Sequence, residues 1–354
     1  MTLSTNDCER AWVEVDLAAL VENARTVAAA AGVPLLPLVK ADAYGLGMLP
    51  VAAALEAVDP WGFGVATPSE GETLRAAGCR RPVVVFTPAL PSWFARCRAA
   101  DLQPVLGSNA AVEAWLATGG GPFQLEIDTG MARSGVPWRS TRESVTARWM
   151  DHCAGVLTHF ACADSDAEAT AEQRRRFERA LAALPRRPPL VHAANSAAAF
   201  RGAPFAYDAV RPGIFLYGGP AGAHAPSPKP VAAFRARVAH ITAVATGSAA
   251  SYGWRWRAER DTRLATLAAG YADGVPRAVE GHGFVELGGA RCAIAGAVNM
   301  DMTLVDASAV AVRESDVATF FGGAISLDEW AGWSGTTPYE SLTRLGARVP
   351  RVYR

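Results

Sequence analysis

One lysine in this sequence stands where barrel proteins usually place their chemistry. Residues 34–39 form an apolar run of strand length, Lys40 follows it directly, and residues 41–47 contain two glycines. In a parallel α/β barrel, the functional groups come from the C-terminal ends of the strands. An amine held there and partly desolvated has a lowered pKa, so Lys40 is a candidate for Schiff-base chemistry. The alternative is a lysine whose stem covers apolar surface while its ammonium group stays in water.

Further polar side chains stand at the ends of later apolar runs. His159 ends one run, His192 ends the next, and Asn195 and Ser196 follow it ahead of an alanine-rich helical pattern. Because the N-terminus of a helix favours anions, Ser196 is a candidate phosphate ligand. Arg211 lies within an apolar run, where a buried guanidinium needs a defined partner. A structural ion pair for Arg211 and a structural role for His192 are the alternatives.

Three short stretches in the second half contain further candidates. Tyr252 lies between a serine and a glycine, Tyr271 lies within Gly-Tyr-Ala-Asp-Gly, and Met300 and Asp301 follow an asparagine. A tyrosine can act as a base when a histidine or a cation faces it. Packing with a satisfied hydroxyl is the more common role of a tyrosine, so no stretch decides the chemistry alone.

The elements that must position these residues are repeated βα units from residue 12 to residue 218. Asp16 can cap a helix over residues 17–31, which Gly32 closes, and a second long helix is predicted over residues 167–183. About eight such units with nearly continuous apolar strands predict a closed (β/α)8 TIM-like barrel of the α/β class, with an open doubly wound sheet as the alternative. The predicted strands are residues 12–16, 34–40, 61–66, 82–86, 102–106, 123–128, 155–160, 190–192 and 210–217.

The pattern changes after residue 218. Residues 219–230 are rich in glycine, proline, alanine and serine and predict a linker. Strands are predicted at residues 233–244, 262–267, 284–287, 291–297, 302–305 and 317–321, followed by a helical pattern over 326–345 and an extended end at 348–353. The predicted division is a barrel over residues 10–222 and a C-terminal, mostly β domain over residues 231–354.

Composition narrows the partners and the compartment. Lysine plus arginine equal aspartate plus glutamate at 34 each, so nucleic acid is not the expected partner and a small molecule is. The six cysteines, Cys8 among them, form no CxxC pair, which favours reduced thiols in the cytoplasm and disfavours a metal site. Residues 1–10 do not read as a signal peptide, and no apolar run is long enough to span a membrane.

Taken together, these stretches resemble the alanine racemase family of fold-type III pyridoxal-phosphate enzymes. The matching stretches occur in the family's order from about residue 10 to residue 354, and no single one decides the match. They are residues 39–45, 128–135, 158–160, 192–196, 211–214, 251–253, 270–274, 300–301 and 337–340.

The resemblance implies a cofactor, pyridoxal 5'-phosphate, which forms an internal aldimine with Lys40. Arg211 matches the residue that hydrogen-bonds the pyridine nitrogen. Because a guanidinium keeps its proton, that nitrogen stays an acceptor and the ring is a weaker electron sink. The other cofactor-binding positions implied by the resemblance are Tyr44, His159, Asn195, Ser196, Gly213, Ile214 and Tyr339.

The resemblance also implies a two-base reaction. Lys40 exchanges the Cα proton of the D-enantiomer on one face, and Tyr252 acts on the other face for the L-enantiomer. His192 matches the family's tyrosine partner, which would help to lower the pKa of the phenol. Since Tyr252 lies in the C-terminal domain, the family uses a head-to-tail homodimer in which each site takes this tyrosine from the other subunit. The implied substrate-binding positions are Arg133, Met300, Asp301 and Tyr271.

Glu126 is a departure from the family pattern. Many members carry a carbamylated lysine at this position, two residues before Asp-Thr-Gly. Because glutamate is also an anion, we expect Glu126 to orient Arg133 through a charge-assisted hydrogen bond. Leu46 replaces a usual histidine, and Gly-Ala-Val-Asn at residues 296–299 replaces a stretch that commonly has arginine and cysteine. These differences affect the expected identity of the substrate more than the expected identity of the cofactor.

The predicted function is therefore the interconversion of L- and D-alanine for cell-wall precursors. One alternative is a racemase for another amino acid, such as serine, in a specialised pathway. A decarboxylase or aldolase on the same barrel is a second alternative, and it would not need Tyr252 as a base. A carrier of pyridoxal phosphate is the non-enzymatic alternative, and it would need neither Tyr252 nor the C-terminal domain.

Overall fold

The computed structural model describes residues 10–354. The predictions made for residues 1–9, including Cys8, lie outside this part. Among the described cysteines, Cys79, Cys97, Cys153, Cys162 and Cys292 are free thiols. No helix of the described chain combines the length and the apolar character needed to cross a membrane.

The first half of the chain forms a closed ring of parallel strands. Single parallel bridges join Leu35 to Val210, Leu38 to Gly64, and His192 to Ala209, so two bridging segments complete the ring begun by six strands. Six strands and two segments give the eight members of the predicted (β/α)8 TIM-like barrel, which is confirmed, and the open sheet is excluded. The six strands are Phe63–Val65, Val83–Val85, Gln103–Leu106, Phe123–Asp128, Cys153–Leu157 and Val191–His192.

Local signals in the sequence define the helices between these strands. Asp16 accepts a hydrogen bond from the amide of Ala19 at the start of Leu17–Ala31, and Gly32 ends that helix with φ at 67°. The predicted helix over residues 167–183 is also confirmed. The remaining helices of the first half are Met48–Leu55, Pro68–Ala76, Phe94–Ala99, Asn109–Ala117, Thr141–Ser144, Ala147–Met150, Ser196–Ala199 and Ala203–Ala206.

The second half forms a mostly antiparallel sheet, as predicted. The long strand Ala232–Val244 is at its centre and pairs with Thr262–Leu267 and Val317–Phe321. Two helices, Leu327–Trp333 and Pro338–Thr343, follow the sheet. The other strands of this half are Ala249–Ala250, Trp256–Arg257, Phe284–Leu287, Ala290–Ala293, Thr303–Asp306 and Arg351–Tyr353.

One predicted strand belongs to the other sheet. Residues 12–16 were expected to begin the barrel, but Ala11–Val15 pairs antiparallel with Ala232–Val244 and parallel with Arg351–Tyr353. All five residues of Ala11–Val15 are buried. The residues of an apolar strand do not reveal which sheet it joins. A strand that is buried on both faces has the same sequence pattern in the barrel as in the sheet of the second half.

Candidate active site

A cavity of about 690 Å³ lies at the C-terminal ends of the barrel strands. This is the end of a parallel barrel where catalytic groups are expected. Most of the predicted site residues line it, and they come from many separate segments of the chain. The predicted residues that line the cavity are Lys40, Tyr44, Glu126, Arg133, His159, Asn195, Ser196, Arg211, Gly213, Ile214 and Tyr339.

Lys40 begins an unusual left-handed turn. The four residues 41–44 all have φ between 52° and 57°, a conformation that costs an ordinary residue roughly 1–2 kcal/mol. Several contacts hold this turn in place. The amide of Ala41 donates to Glu70 at 2.7 Å, the amide of Met48 donates to Asp42 at 2.7 Å, and the ring of Tyr44 stacks on another ring at 4.5 Å.

The environment of Lys40 favours the neutral amine. Burial lowers the pKa of Lys40, the nearby guanidiniums of Arg133 and Arg211 lower it further, and the carboxylate of Glu70 opposes them. A lowered pKa makes the uncharged, nucleophilic amine more available at neutral pH. The shift expected from the sequence is therefore present.

Arg211 is a buried guanidinium at the centre of the site. Its Nη1 donates to Nδ1 of His192 at 3.0 Å, and its Nη2 donates to the carbonyl oxygens of Thr158 at 2.8 Å and Ala193 at 2.9 Å. Nη2 also lies 3.3 Å from Nδ1 of His159. Burial lowers the pKa of Arg211 to about 10, which leaves it protonated at neutral pH. None of these contacts uses the Nε–H of Arg211, and it has no partner among the described residues. Arg211 is also one of the residues that line the cavity.

Both histidines beside Arg211 are neutral. Burial, followed by the charge of Arg211, lowers the pKa of His192 well below its usual value. The same two causes, together with Arg133 and Lys40, lower the pKa of His159 to about 3. Because the guanidinium donates to Nδ1 of His192, the proton of that ring is on Nε2.

A relay of two glutamines fixes this tautomer. Nε2 of His192 donates to Oε1 of Gln124 at 3.1 Å, and Nε2 of Gln124 donates to Oε1 of Gln103 at 2.7 Å. His192 and Gln124 are fully buried. Gly155 leaves the room that the amide needs, since a Cβ on Gly155 would lie 2.1 Å from that oxygen. The relay extends from Arg211 across the interior of the barrel.

The other end of the cavity carries donors suited to an anion. Asn195 caps the short helix Ser196–Ala199 by accepting from the amide of Ala198 at 3.0 Å. Oγ of Ser196 accepts from the amide of Gly213 at 2.9 Å. Gly213 also lies against Tyr44, because a Cβ there would be 2.2 Å from the tyrosine hydroxyl. The hydroxyl of Ser196 and the phenol of Tyr44, in two residues that line the cavity, together suit a phosphate group.

Glu126 does not make the contact that the sequence suggested. Its carboxylate accepts a hydrogen bond from Oγ of Ser134, and no bond joins it to the guanidinium of Arg133. Its charge acts on Arg211, whose pKa it raises against the effect of burial. Within a single chain, the predicted hydrogen bond from Arg133 to the carboxylate of Glu126 is therefore absent, and that prediction is wrong.

Four predicted residues lie away from this cavity, on the surface of the β domain. Tyr252 is 72% exposed, Met300 is 53% exposed and Tyr271 is 45% exposed. Their loops are joined, since Oγ of Ser251 donates to the carbonyl of residue 297 and the amide of Tyr271 donates to that of residue 299. Asp301, next to Met300, accepts a hydrogen bond from Nη2 of Arg348 at 2.5 Å. One chain thus brings the predicted residues together in two separate groups.

His192 also lies behind the cavity wall rather than in it. Arg211 and Gln124 take both of its ring nitrogens, and the ring is fully buried. His159 is the histidine that lines the cavity. The sequence could not separate these roles, because both histidines end neighbouring strands.

Three residues that contribute to the site were missed in the sequence. Glu70 holds the turn after Lys40, Gln124 holds His192, and Tyr217 stacks on Tyr44 while its hydroxyl donates to the carbonyl of residue 38 at 2.8 Å. Gln124 carried a readable signal, since it is polar and two residues from Glu126 in an apolar strand, so both share one face. Residues 67–70 have the pattern of a helix cap, but the contact of Glu70 with the amide of Ala41 cannot be read from that pattern.

A parallel barrel that carries a lysine at a strand end, followed by a mostly β domain, defines the class of fold-type III enzymes. The family model described as alanine racemase, N-terminal domain, matches residues 15–220, and the one described as alanine racemase, C-terminal domain, matches residues 231–353. This chain belongs to the alanine racemase family, as the motifs predicted.

Relatives named alanine racemase cover almost the whole chain. An alanine racemase of Deinococcus deserti is 38% identical over 97% of this chain and 98% of its own, and one of Nostoc sp. is 35% identical over 97% and 96%. The alanine racemase of Bartonella henselae with covalently bound pyridoxal phosphate has a TM-score of 0.91 at 29% identity, covering 98% of this chain and 100% of its own. The biosynthetic alanine racemase of Pseudomonas aeruginosa has a TM-score of 0.88 at 33% identity over 98% and 99%.

Proposed function

We propose that this chain is an alanine racemase, an isomerase that interconverts L- and D-alanine with pyridoxal 5'-phosphate. The observation that carries the proposal is the cavity itself, which is lined by Lys40 with its lowered pKa, by the guanidinium residue Arg211, and by the hydroxyl residues Ser196 and Tyr44. Those groups correspond to the aldehyde, the ring nitrogen and the phosphate of this cofactor. A cavity of about 690 Å³ is within the usual range for a small-molecule site.

The residues present fit that cofactor. Lys40 would hold it covalently, Arg211 would donate to its ring nitrogen, and Ser196, Gly213 and Tyr44 would hold its phosphate. Gly213 has no side chain in the space beside the Tyr44 hydroxyl, so the backbone can approach a ligand closely there. When bound, pyridoxal phosphate withdraws electrons from the substrate and makes its Cα–H acidic.

Lys40 acts as the base on one face of the substrate carbon. The lowered pKa of its amine makes the neutral form, which can accept a proton, more available. The charge of Arg211 stays in place throughout, because its pKa of about 10 is well above neutral pH. Because Arg211 keeps its proton, it would donate to the ring nitrogen of the cofactor and would leave that nitrogen unprotonated.

Tyr252 is the proposed base on the other face, supplied by a second copy of the chain. Its exposure of 72% in one chain is high for a tyrosine at a functional position, and covering by a partner would explain it. Tyr271 and Met300, on the loops joined to it, would then approach the substrate with it. This supports a head-to-tail homodimer, in which Arg133 and the Met300 amide hold the substrate carboxylate and Asp301 and Tyr271 border its approach.

His159 takes the place proposed earlier for His192 as the partner of the phenol. His159 lines the cavity beside Arg211, whereas the ring nitrogens of His192 are both occupied. His192 instead supports Arg211 from behind. A neutral His159 next to a fixed guanidinium can accept a hydrogen bond from a phenol or donate one to a phenolate.

The proposal extends to the organisation and setting of the enzyme. We place the catalytic barrel in residues 10–222, apart from the strand Ala11–Val15, and the domain that supplies Tyr252 in residues 231–354, whose sheet that strand joins. The expected setting is the cytoplasm, where D-alanine would serve cell-wall precursors.

Incubation with single enantiomers of several amino acids in deuterated water tests the function. We expect L- and D-alanine to racemise with deuterium at Cα, and serine and larger side chains to react more slowly. Deuterated amine without the carboxyl group would instead indicate a decarboxylase. Binding of pyridoxal phosphate with no exchange at Cα would indicate a carrier, and either result would overturn the proposal.

Two variants assign the bases. Lys40→Ala should abolish activity and the yellow colour that borohydride bleaches. Tyr252→Phe should retain that colour and lose exchange of the L-alanine proton far more than exchange of the D-alanine proton. Equal loss of both exchanges in Tyr252→Phe would contradict the two-base arrangement.

A further inference from the structure

We propose that Glu70 is a positioning residue that holds the turn after Lys40 and so sets the place of this lysine. This inference rests on the proposed role of Lys40 as the cofactor lysine. Residues 35–39, which end just before Lys40, pair with the barrel strand Phe63–Val65, and Glu70 lies in the helix Pro68–Ala76 that follows this strand. The side chain of Glu70 spans the distance between the C-terminal ends of these two neighbouring segments.

Glu70 has a local role in capping its own helix, and that role uses only one of the two carboxylate oxygens. It completes a capping box, in which Oγ1 of Thr67 accepts from the amide of Glu70 and Oε2 of Glu70 accepts from the amide of Thr67 at 3.1 Å. The same Oε2 accepts from the amide of Ala66 at 2.6 Å. A helix cap needs nothing further from this side chain.

The other oxygen holds the residue after Lys40. Oε1 of Glu70 accepts from the amide of Ala41 at 2.7 Å. Ala41 is the first of four consecutive residues with left-handed backbone angles, and its amide lies in the first turn, where a helix offers no backbone partner. A short bond to a carboxylate is strong enough to offset part of the cost of that conformation. Glu70 therefore ties the turn that carries Lys40 and Tyr44 to the neighbouring strand end.

The charge of Glu70 gives it a second effect on Lys40. Arg133 and Arg211 face the amine and lower its pKa along with burial, and His159 lies beside the same group of charges. Glu70 is the carboxylate that opposes them. Removing its charge would leave the lowering effects of burial, Arg133 and Arg211 on the pKa of Lys40 without this opposing carboxylate.

Two separate measurements test these two effects in the full-length chain. Titration with pyridoxal phosphate, followed by absorbance, measures cofactor affinity without turnover. Competitive acetylation of Lys40 against pH, in chain stripped of cofactor and read by mass spectrometry, measures the titration of its amine. For Glu70→Gln we expect affinity about tenfold weaker, because a hydrogen bond to a charged group is worth about that factor. We also expect the midpoint of acetylation to move to lower pH.

Matched variants separate these effects from a general loss of charge or of the helix cap. Glu72→Gln removes a carboxylate from the same helix, where it pairs with Arg96 on the surface. Thr67→Ala breaks the cap but leaves the bond to Ala41 in place. Both controls should match the wild type within about twofold in affinity and should keep the midpoint of Lys40.

Glu70→Asp separates geometry from charge. The shorter side chain keeps the negative charge but cannot span both strand ends, so we expect weaker cofactor binding with the midpoint of Lys40 kept. A Glu70→Gln protein that matches Glu72→Gln in both measurements would overturn the proposal, as would a Thr67→Ala protein that matches Glu70→Gln. If the wild type binds no pyridoxal phosphate, the proposed function fails, while the acetylation of Lys40 still tests Glu70.

Discussion

Replacing Gln124 with leucine should show how much the buried relay behind Arg211 contributes. Leucine has a similar size, so the change removes polar atoms without opening a large cavity. It leaves Nε2–H of His192, a fully buried donor, with no partner. A buried donor left unpaired costs about 1–3 kcal/mol, so we expect the free energy of unfolding to fall by about 2 kcal/mol.

The relay also predicts how two substitutions combine. Gln103→Leu leaves Nε2 of Gln124 unpaired and should destabilise the protein by about 1–2 kcal/mol. Once Gln124 is leucine, Gln103 has no bond left to lose in the relay. The double variant should therefore cost about the same as Gln124→Leu alone.

Urea unfolding of the four proteins measures these energies, and nitrogen NMR of labelled histidine reports the ring. We expect the proton of His192 on Nε2 in both proteins, because Arg211 still donates to Nδ1, and a shifted Nε2 signal in Gln124→Leu, where this proton has lost its acceptor. The kcat/KM for alanine should fall, because the ring that accepts from Arg211 is no longer held from its other side. A change below about 0.5 kcal/mol for Gln124→Leu, or a double variant whose cost equals the sum of the singles, would refute the relay.

Three further perturbations follow from the site and its surroundings. Gly213→Ala puts a methyl group about where the Tyr44 hydroxyl lies, so pyridoxal phosphate should bind about tenfold more weakly in an absorbance titration. Glu126→Gln removes a buried anion from among the guanidiniums of the site, so the KM for alanine should rise in steady-state kinetics. Burial alone would raise the pKa of Asp273, but hydrogen bonds from two arginines outweigh it, and the pKa lies below its usual 3.8. On acidification the unfolded chain takes up this proton first, so the carboxylate stabilises the fold above pH 3.8 and that contribution is lost as the pH falls through the folded pKa. Arg348→Ala should reduce this loss in unfolding measured against pH.

Two of these perturbations have a matched control variant. Gly332→Ala adds a methyl group where no atom lies within 4 Å and should not alter cofactor binding. Arg344→Ala removes an exposed partner of Glu340 and should keep the acid dependence of the wild type. Unchanged kinetics in Glu126→Gln would show that its charge is not needed. Wild-type affinity in Gly213→Ala, or an unchanged acid profile in Arg348→Ala, would contradict the corresponding contact.

The barrel and its helices were predictable because their signals are local. Asp16 and Gly32 mark both ends of one helix, and Phe123–Asp128 is an uninterrupted strand between turn residues. The strand Ala11–Val15 was assigned to the wrong sheet because its partners lie more than 200 residues further along the chain. Non-local pairing leaves no trace in the strand itself.

The site was predictable in its residues and less so in its contacts. A lysine at a strand end and an arginine in an apolar run were visible as candidates, and the structure places both at one cavity. The left-handed turn after Lys40 was not, because alanine, aspartate and tyrosine rarely adopt that conformation and tertiary contacts impose it here. The contact of Glu126 with Ser134 in place of Arg133 depends on side-chain directions that spacing does not give.

The first and last strands of this protein lie side by side, which makes the chain nearly circular. The amide of Arg354 donates to the carbonyl of Val15 at 3.0 Å, and that of Leu17 donates back to Arg354 at 3.0 Å. A protease cut in the connecting segment 222–229 would therefore leave two fragments that still share a sheet. Such a nicked protein should stay associated and active, and a permuted gene that opens there and joins Arg354 to Arg10 through a short linker should encode a working enzyme.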